Sequence, residues 1–391
     1  MKKEVIEMSH FLIPKHVYIG KDALQESEQS INECGSRALI VTGKHVGKSP
    51  MMGKLKDTLV KLGIEYVIFD NIPGEPTDLM IKEGLQVYKE SGCDFLIGIG
   101  GGSPLDSAKA IAAMSVNPGK IADYMGKEIG GNIPPIVAIP TTSGTGSEAT
   151  RFTVITDSAT EVKMLLKGDK LIPAVAVVDF EFTMDMPRSV TASTGLDALT
   201  HAIEAYTSKK AFPLTDSYAV SAVKRIMKYL PIAYKRGSDP QAREQMAIAA
   251  FEAGVCINNS SVTLVHGLSR PIGANFHVPH GISNAMLLSE CLKFAIDGAY
   301  DKFSNLGKEI GIMSASDSRE TLANKFVDAV AELAKTCEVP TLKEFGIEPE
   351  AFEAVTEKMA EDAIKSGSPA NTVKNVSKQD CILIYKKAYG I

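Results

Sequence analysis

Apolar residues follow two different rhythms along the chain. Up to about residue 190 they come in short unbroken runs, at 37–42, 65–69, 94–100, 136–139 and 174–179, with longer amphipathic stretches between them. A strand that is apolar throughout is buried on both faces, so these runs predict a parallel sheet covered by helices on each side. Beyond about Thr191 the rhythm changes to the 3.6-residue period of helices, at 215–230, 242–255, 283–295, 318–337 and 377–388. The fold expected is therefore α/β in the first half and all-helical in the second. The boundary is placed within 184–195, where Pro187 and Gly195 flank a polar connector, which gives domains of 1–187 and 188–391.

Composition narrows the class. A chain of 391 residues, 45% hydrophobic and 23% charged, has enough apolar surface for two cores. Its 42 basic and 47 acidic side chains leave a net charge of −5, with no basic run to track a phosphate backbone or an anionic membrane. Nucleic acid and membrane drop out as default partners. Residues 1–14 mix charges with hydrophobics and show no signal-peptide core, so a cytoplasmic protein is expected. Six cysteines without a CxxC pair read as reduced, mostly buried thiols.

Two turns carry the first chemistry. The run ending at Gly100 enters Gly100, Gly101 and Gly102, then Ser103 as expected N-cap, Pro104 at the first helical position and Asp106 as the return partner of a capping box. Glycines let backbone N–H groups approach an anion, and the helix start behind them adds partial positive charge, which suits a pyrophosphate. The spacing departs from GxGxxG, because Ser103 stands where the third glycine would be. A second turn, Thr141-Thr142-Ser143-Gly144-Thr145-Gly146-Ser147, crowds five hydroxyls around two glycines after the next strand. Two such turns after parallel strands share the sheet edge where doubly wound folds bind ligands, so a dinucleotide is expected there. After the 37–42 run comes Gly43, where an NAD-selective site often keeps an acid for the ribose. Without that acid, NADP(H) is tolerated as well as NAD(H).

The helical half carries the second constellation. Asp197 and His201 are four apart and project from one helix face among apolar neighbours, where an unpartnered aspartate would be costly. His266 and His280 lie fourteen residues apart, and Pro271, Gly273 and Pro279 are expected to interrupt any single helix between them, so both imidazoles can converge from different segments. One aspartate and three histidines suit a divalent first-row metal, with Fe²⁺, Zn²⁺, Co²⁺, Mn²⁺ and Ni²⁺ all permitted by ligand type.

At this point the residues resemble the iron-dependent, group III alcohol dehydrogenases from 11 to 389, through Gly-Gly-Gly-Ser-Pro-Leu-Asp at 100–106, Thr-Thr-Ser-Gly-Thr-Gly-Ser-Glu at 141–148, the 194–206 run and Val-Pro-His-Gly at 278–281. The resemblance implies a dinucleotide-binding domain, a helical metal domain and a cleft between them, as in dehydroquinate synthase-like folds. It implies Asp197, His201, His266 and His280 as ligands, usually of Fe²⁺ and sometimes of Zn²⁺. It sets Lys163 near the cofactor and expects a homo-oligomer. Many members carry a histidine, often assigned to proton relay, four residues after the position of His266, and this chain has Arg270 there. His277 is then the remaining candidate for exchanging a proton with solvent. Arg270 suggests a carboxylate-bearing substrate if its guanidinium enters the cleft, and a helix-end arginine capping carbonyls if it does not.

The reaction implied is hydride transfer between NAD(P)(H) and a short alcohol, diol or aldehyde, with an ω-hydroxy acid such as 4-hydroxybutyrate as alternative substrate. A dehydroquinate synthase-like lyase would need a basic pocket that the helical half does not display. A non-catalytic dinucleotide sensor would leave the four candidate metal ligands unexplained. Phe152, Phe251, Val255 and the surroundings of Leu264 are expected pocket walls.

Overall fold

The computed structural model describes residues 9–391, so residues 1–8 of the 1–14 stretch, in which no signal-peptide core is expected, lie outside the described residues. Among the described residues eight strands form: β1 (His16–Ile19), β2 (Arg37–Val41), β3 (Glu65–Phe69), β4 (Phe95–Gly100), β5 (Ile136–Pro140), β6 (Phe152–Thr156), β7 (Lys163–Lys167) and β8 (Val175–Val178). Six of them make a parallel sheet in the order β1-β8-β5-β4-β2-β3, and β6 pairs antiparallel with β7 as a separate hairpin. The five apolar runs are thus strands of one sheet. Sequence reading missed β1, a short strand of mixed burial at the sheet edge, and the hairpin, whose residues alternate between buried and exposed.

The chain leaves β2 for β3 on one side and returns to β4 on the other. A crevice therefore opens outside the carboxyl ends of β2 and β4, the place where open α/β sheets take their ligands. One apolar layer, with Ile40, Phe95, Ile97 and Val177, covers one face of the sheet, and another, with Leu39, Leu96, Ile111 and Ala112, covers the other. Residues from Arg188 to the end are helical, around a core that runs from Leu196 and Leu199 to Phe352 and Tyr385.

Two helix boundaries differ from expectation. The Arg188–Tyr206 helix already contains Gly195, which is packed under Leu230 and Met246 instead of closing a connector. The Leu264–Phe276 helix runs through Pro271 and Gly273, and the break comes at His277, in left-handed conformation with φ 54°, ahead of Pro279.

The halves meet where the turn after β5 touches the Pro240–Asn259 helix. A Cβ on Gly254 would stand 2.7 Å from the Cα and carbonyl oxygen of Gly146, which itself has φ 64°. Phe251 and Val255, expected as pocket walls, are instead buried in this seam against Ala176 and Val178, and Leu264 belongs to the helical core. Because Gly146 presents backbone and not a side chain that can swing aside, Gly254→Ala is expected to cost about 1–3 kcal/mol in denaturant unfolding. Stability within 0.5 kcal/mol of the parent, a roughly surface-like change, would contradict this account of the seam.

Candidate metal and cofactor site

The glycine turn after β4 starts its helix two residues earlier than expected. The Gly102–Val116 helix has Gly101 as N-cap, with no side chain capping its first N–H groups. Ser103 lies inside the first turn, and the capping box with Asp106 does not form. Asp106 is drawn away by stronger partners: its carboxylate accepts from Ser147 Oγ at 2.6 Å and from the Val154 amide at 2.8 Å. The uncapped donors of the helix start are left for an external anion.

The hydroxyl-rich turn closes over them. Thr141 donates its amide to the Gly100 carbonyl at 2.8 Å. A Cβ on Gly101 would stand 3.6 Å from Thr142, and one on Gly102 only 2.9 Å from Thr145, so the close approach of the two turns requires glycine at Gly102. Gly100 has φ 150°, inside the region that favours glycine. Ser143 Oγ is buried with no hydrogen-bond partner, an orphan polar atom in the same turn. Gly43 follows the end of β2 by two residues, across the crevice, and a Cβ there would stand 2.8 Å from the Ile72 carbonyl. Glycine at Gly43 is therefore explained by packing as well as by cofactor charge.

The metal candidates come from three helices of the other half. Asp197 and His201 lie on the Arg188–Tyr206 helix, His266 in the first turn of Leu264–Phe276 and His280 at the start of His280–Ala295. Gly281 allows the last of these close contact, since a Cβ on it would stand 2.5 Å from the Ser193 carbonyl. Donor atoms of Asp197, His201 and His266 all fall within 4.8 Å of one another, and the residues are 2%, 5% and 2% exposed. Asp197 Oδ1 is 3.9 Å from His201 Nε2, 3.8 Å from His266 Nε2 and 3.7 Å from His280 Nε2. His280 stands at the edge of the compact trio, its side chain open to solvent.

Burial pushes the Asp197 carboxyl up, but the three imidazoles and Asn284 together hold it below the usual carboxylate range. Burial, reinforced by its histidine neighbours, holds His266 well below the ordinary histidine range, so its ring is neutral. Glu204 fixes which nitrogen is free: His266 Nδ1 donates to Glu204 Oε2 at 2.6 Å, which leaves Nε2 as a lone pair facing Asp197. The other oxygen of Glu204 accepts from Thr263 Oγ1 at 2.9 Å and the Val265 amide at 2.6 Å. The Asn284 amide nitrogen donates to Asp197 Oδ1 at 2.7 Å and lies 3.2 Å from Nε2 of both His266 and His280. Three acceptors thus converge on one small volume, which is the donor set a divalent cation requires.

Sequence reading missed Glu204 and Asn284. Glu204 lies in the very run that contains Asp197 and His201, and an acid so deep in an apolar helix is itself a signal of a buried partner. Of the remaining candidates, Lys163 pairs with Glu75 at 2.7 Å, and its Nζ would be 3.8 Å from a Cβ on Gly273, beside the metal-side helix. His277 is exposed at the helix break. Arg270 lies one turn beyond His266 and donates from Nη1 to Ser368 Oγ at 3.0 Å.

Comparison with known proteins places these features in context. Residues 14–180 match the family described as iron-containing alcohol dehydrogenase, and 191–389 match the Fe-containing alcohol dehydrogenase family, C-terminal. The NAD-dependent methanol dehydrogenase of Bacillus methanolicus is 36% identical, over 95% of this chain and 98% of its own. The NADPH-dependent butanol dehydrogenase of Clostridium saccharobutylicum is 34% identical, over 98% of each. A crystal structure of 1,3-propanediol oxidoreductase superposes with a TM-score of 0.93 at 33% identity, covering 98% of this chain and 100% of its own.

Proposed function

As the chain belongs to the iron-containing alcohol dehydrogenases, oxidoreductases of CH–OH groups, we propose that it interconverts a short-chain alcohol and its aldehyde, with the nicotinamide cofactor held by the sheet half and the metal by the helical half. The observation that carries this reading is the convergence of Asp197, His201 and His266, with His266 pinned by Glu204. We assign the metal to these three, with His280 completing the set from the open side. Fe²⁺ is the favoured ion, with Zn²⁺ the alternative. The boundary between the halves falls at 187/188, where the first long helix begins. The proposal extends to a cytoplasmic homo-oligomer, as the sequence leads one to expect.

When bound, the metal supplies Lewis acidity to the substrate oxygen, and the nicotinamide supplies the place for hydride to go. The chain does the rest. Gly101, Gly102 and the uncapped helix start hold the pyrophosphate, and Thr141, Thr142, Thr145 and Ser143 lie beside it with hydroxyls and amides. Glu204 keeps His266 in the tautomer whose Nε2 faces inward. Burial of Asp197, His201 and His266 keeps bulk water from the reacting carbon. His277, exposed at the end of its helix, is placed to pass the alcohol proton to solvent. Gly43 brings no negative charge to the ribose side, so both NAD(H) and NADP(H) are accepted.

The test is metal content of anaerobically purified protein, together with NADH and NADPH oxidation against a panel of short aldehydes. Near-stoichiometric metal and aldehyde-dependent turnover with both cofactors are expected. Metal-free protein that gains no turnover from added Fe²⁺ or Zn²⁺ would overturn the reading, and a strict preference for NADH would overturn the role given to Gly43.

A further inference from the structure

Two polar side chains touch the candidate metal ligands, and they do so from opposite sides. Glu204 accepts from His266 Nδ1, the nitrogen turned away from the cluster, so it steadies the ring and leaves Nε2 free. Asn284 instead meets the inward atoms themselves. It stands four residues after His280 on the His280–Ala295 helix, so the two side chains share a face, and it is completely buried. Its Nδ2 donates to Asp197 Oδ1 at 2.7 Å and lies 3.2 Å from Nε2 of His266 and 3.2 Å from Nε2 of His280. These are three of the four atoms assigned above to the metal.

The neighbours fix the orientation of this carboxamide. A carboxylate oxygen offers lone pairs only, and His266 Nε2 is a lone pair because Nδ1 carries the proton. An amide oxygen turned inward would face acceptors, so the NH2 end belongs there. With two N–H groups it serves Asp197 and one imidazole at a time. A neutral imidazole nitrogen has a single lone pair, which cannot accept an N–H and ligate a cation together. The amide and the cation therefore compete for the same atoms. At its outer end the amide is loosely held: Asn284 Oδ1 is buried without a hydrogen-bond partner, so no second bond has to break when the side chain turns off the cluster.

We propose that Asn284 is a displaceable stand-in for the metal, whose amide satisfies the inward lone pairs until a cation arrives and gives way to it on loading. The proposal rests on the metal assignment above and adds a residue that sets how tightly the site loads. Asn284 is a positioning residue and not a ligand. Without its donor, the Asp197 carboxylate, 2% exposed, would lose a partner in a dry core, which is costly for metal-free protein.

Competition against a chromophoric chelator tests it, with Zn²⁺ and Co²⁺ added to stripped parent, Asn284→Ala, Asn284→Ser and Glu204→Gln. Asn284→Ala is expected to bind both ions about tenfold tighter or more, the scale of one or two hydrogen bonds no longer surrendered on loading. Its metal-free form should melt below the parent, and saturating Zn²⁺ should raise its melting temperature by more than it raises the parent's. Glu204→Gln should move the other way, binding about 10- to 100-fold more weakly, because it loses support from behind a ligand. Where the alanine variant does not survive stripping, Asn284→Ser carries the same comparison and is likewise expected to bind tighter than the parent. Binding equal to the parent or weaker in the variant so measured would overturn the proposal, since an amide that merely supports Asp197 gives that sign. Parent that binds both ions while the variants gain nothing overturns this proposal alone. Parent that takes up neither ion overturns the metal assignment with it.

Discussion

Asp197→Ala is expected to purify folded, without stoichiometric metal, and with turnover lowered by about three orders of magnitude or more. Asp197 Oδ1 is the hub of the cluster, within 3.7–3.9 Å of all three imidazole Nε2 atoms. Alanine removes the anion that offsets the charge of a divalent cation among neutral histidines. Lewis-acid stabilisation of the reacting oxygen is worth several kcal/mol, and each 1.36 kcal/mol is about tenfold in rate. Elemental analysis and steady-state turnover on one preparation check both parts, and circular dichroism checks that the fold survives. Glu204→Gln sets the scale, because loss of an outer partner of a metal-ligating histidine typically costs about 10- to 100-fold in metal affinity. An Asp197→Ala protein with full metal and near-parent turnover would remove the aspartate from the site.

Lys109→Met is expected to destabilise the sheet half by about 3–5 kcal/mol and to weaken cofactor binding with it. Lys109 is completely buried, and its Nζ donates to the carbonyls of Ser147, Thr150 and Phe152 at 2.6, 2.7 and 2.9 Å and to Thr150 Oγ1 at 3.1 Å. Burial pushes its proton affinity down to about 8, against the opposing charges of Asp106 and Glu148, so it is still largely an ammonium at neutral pH. Burial likewise raises Asp106, and brings Glu148 to about 7. Methionine would leave those acids without their cation and the carbonyls without a donor, the most damaging way to break a buried charged group. Thermal and denaturant unfolding measure the loss, and titration with NADH measures the second effect. Recovery of part of the stability in Lys109→Met/Asp106→Asn is expected, since the charge of Asp106 is one of the two that offset the burial of Lys109. A single variant within about 1 kcal/mol of the parent, the range typical of unremarkable substitutions, would show that the ammonium is dispensable.

The parallel sheet was legible because strands covered on both faces must be apolar along their whole length, as at Phe95–Gly100. β1 escaped because an edge strand with its side chains half-buried has no such run, and the β6–β7 hairpin because its alternation is short and interrupted by polar residues. Asp106 shows how a local rule loses: Ser103 and Asp106 have the spacing of a capping box, yet a hydroxyl 41 residues away and an amide 48 residues away compete for the same carboxylate and win. Proline and glycine misled in a similar way. Pro271 sits inside a helix whose packing against its neighbours outweighs one lost hydrogen bond. The aspartate–histidine pair of the metal site was readable from its four-residue spacing, whereas Asn284 was not, since its value lies in reaching Asp197, 87 residues distant.

The four metal-ligand candidates all lie between residues 197 and 280, while the turns after β2, β4 and β5 lie before residue 150. The halves share a seam at Gly146 and Gly254, but no metal-ligand candidate comes from the sheet half. Heredity can therefore edit the two chemistries separately. A lineage can edit the stretch that carries the glycine turns and the stretch that carries the metal-ligand candidates one at a time, and neither edit has to be matched by one in the other stretch of the gene.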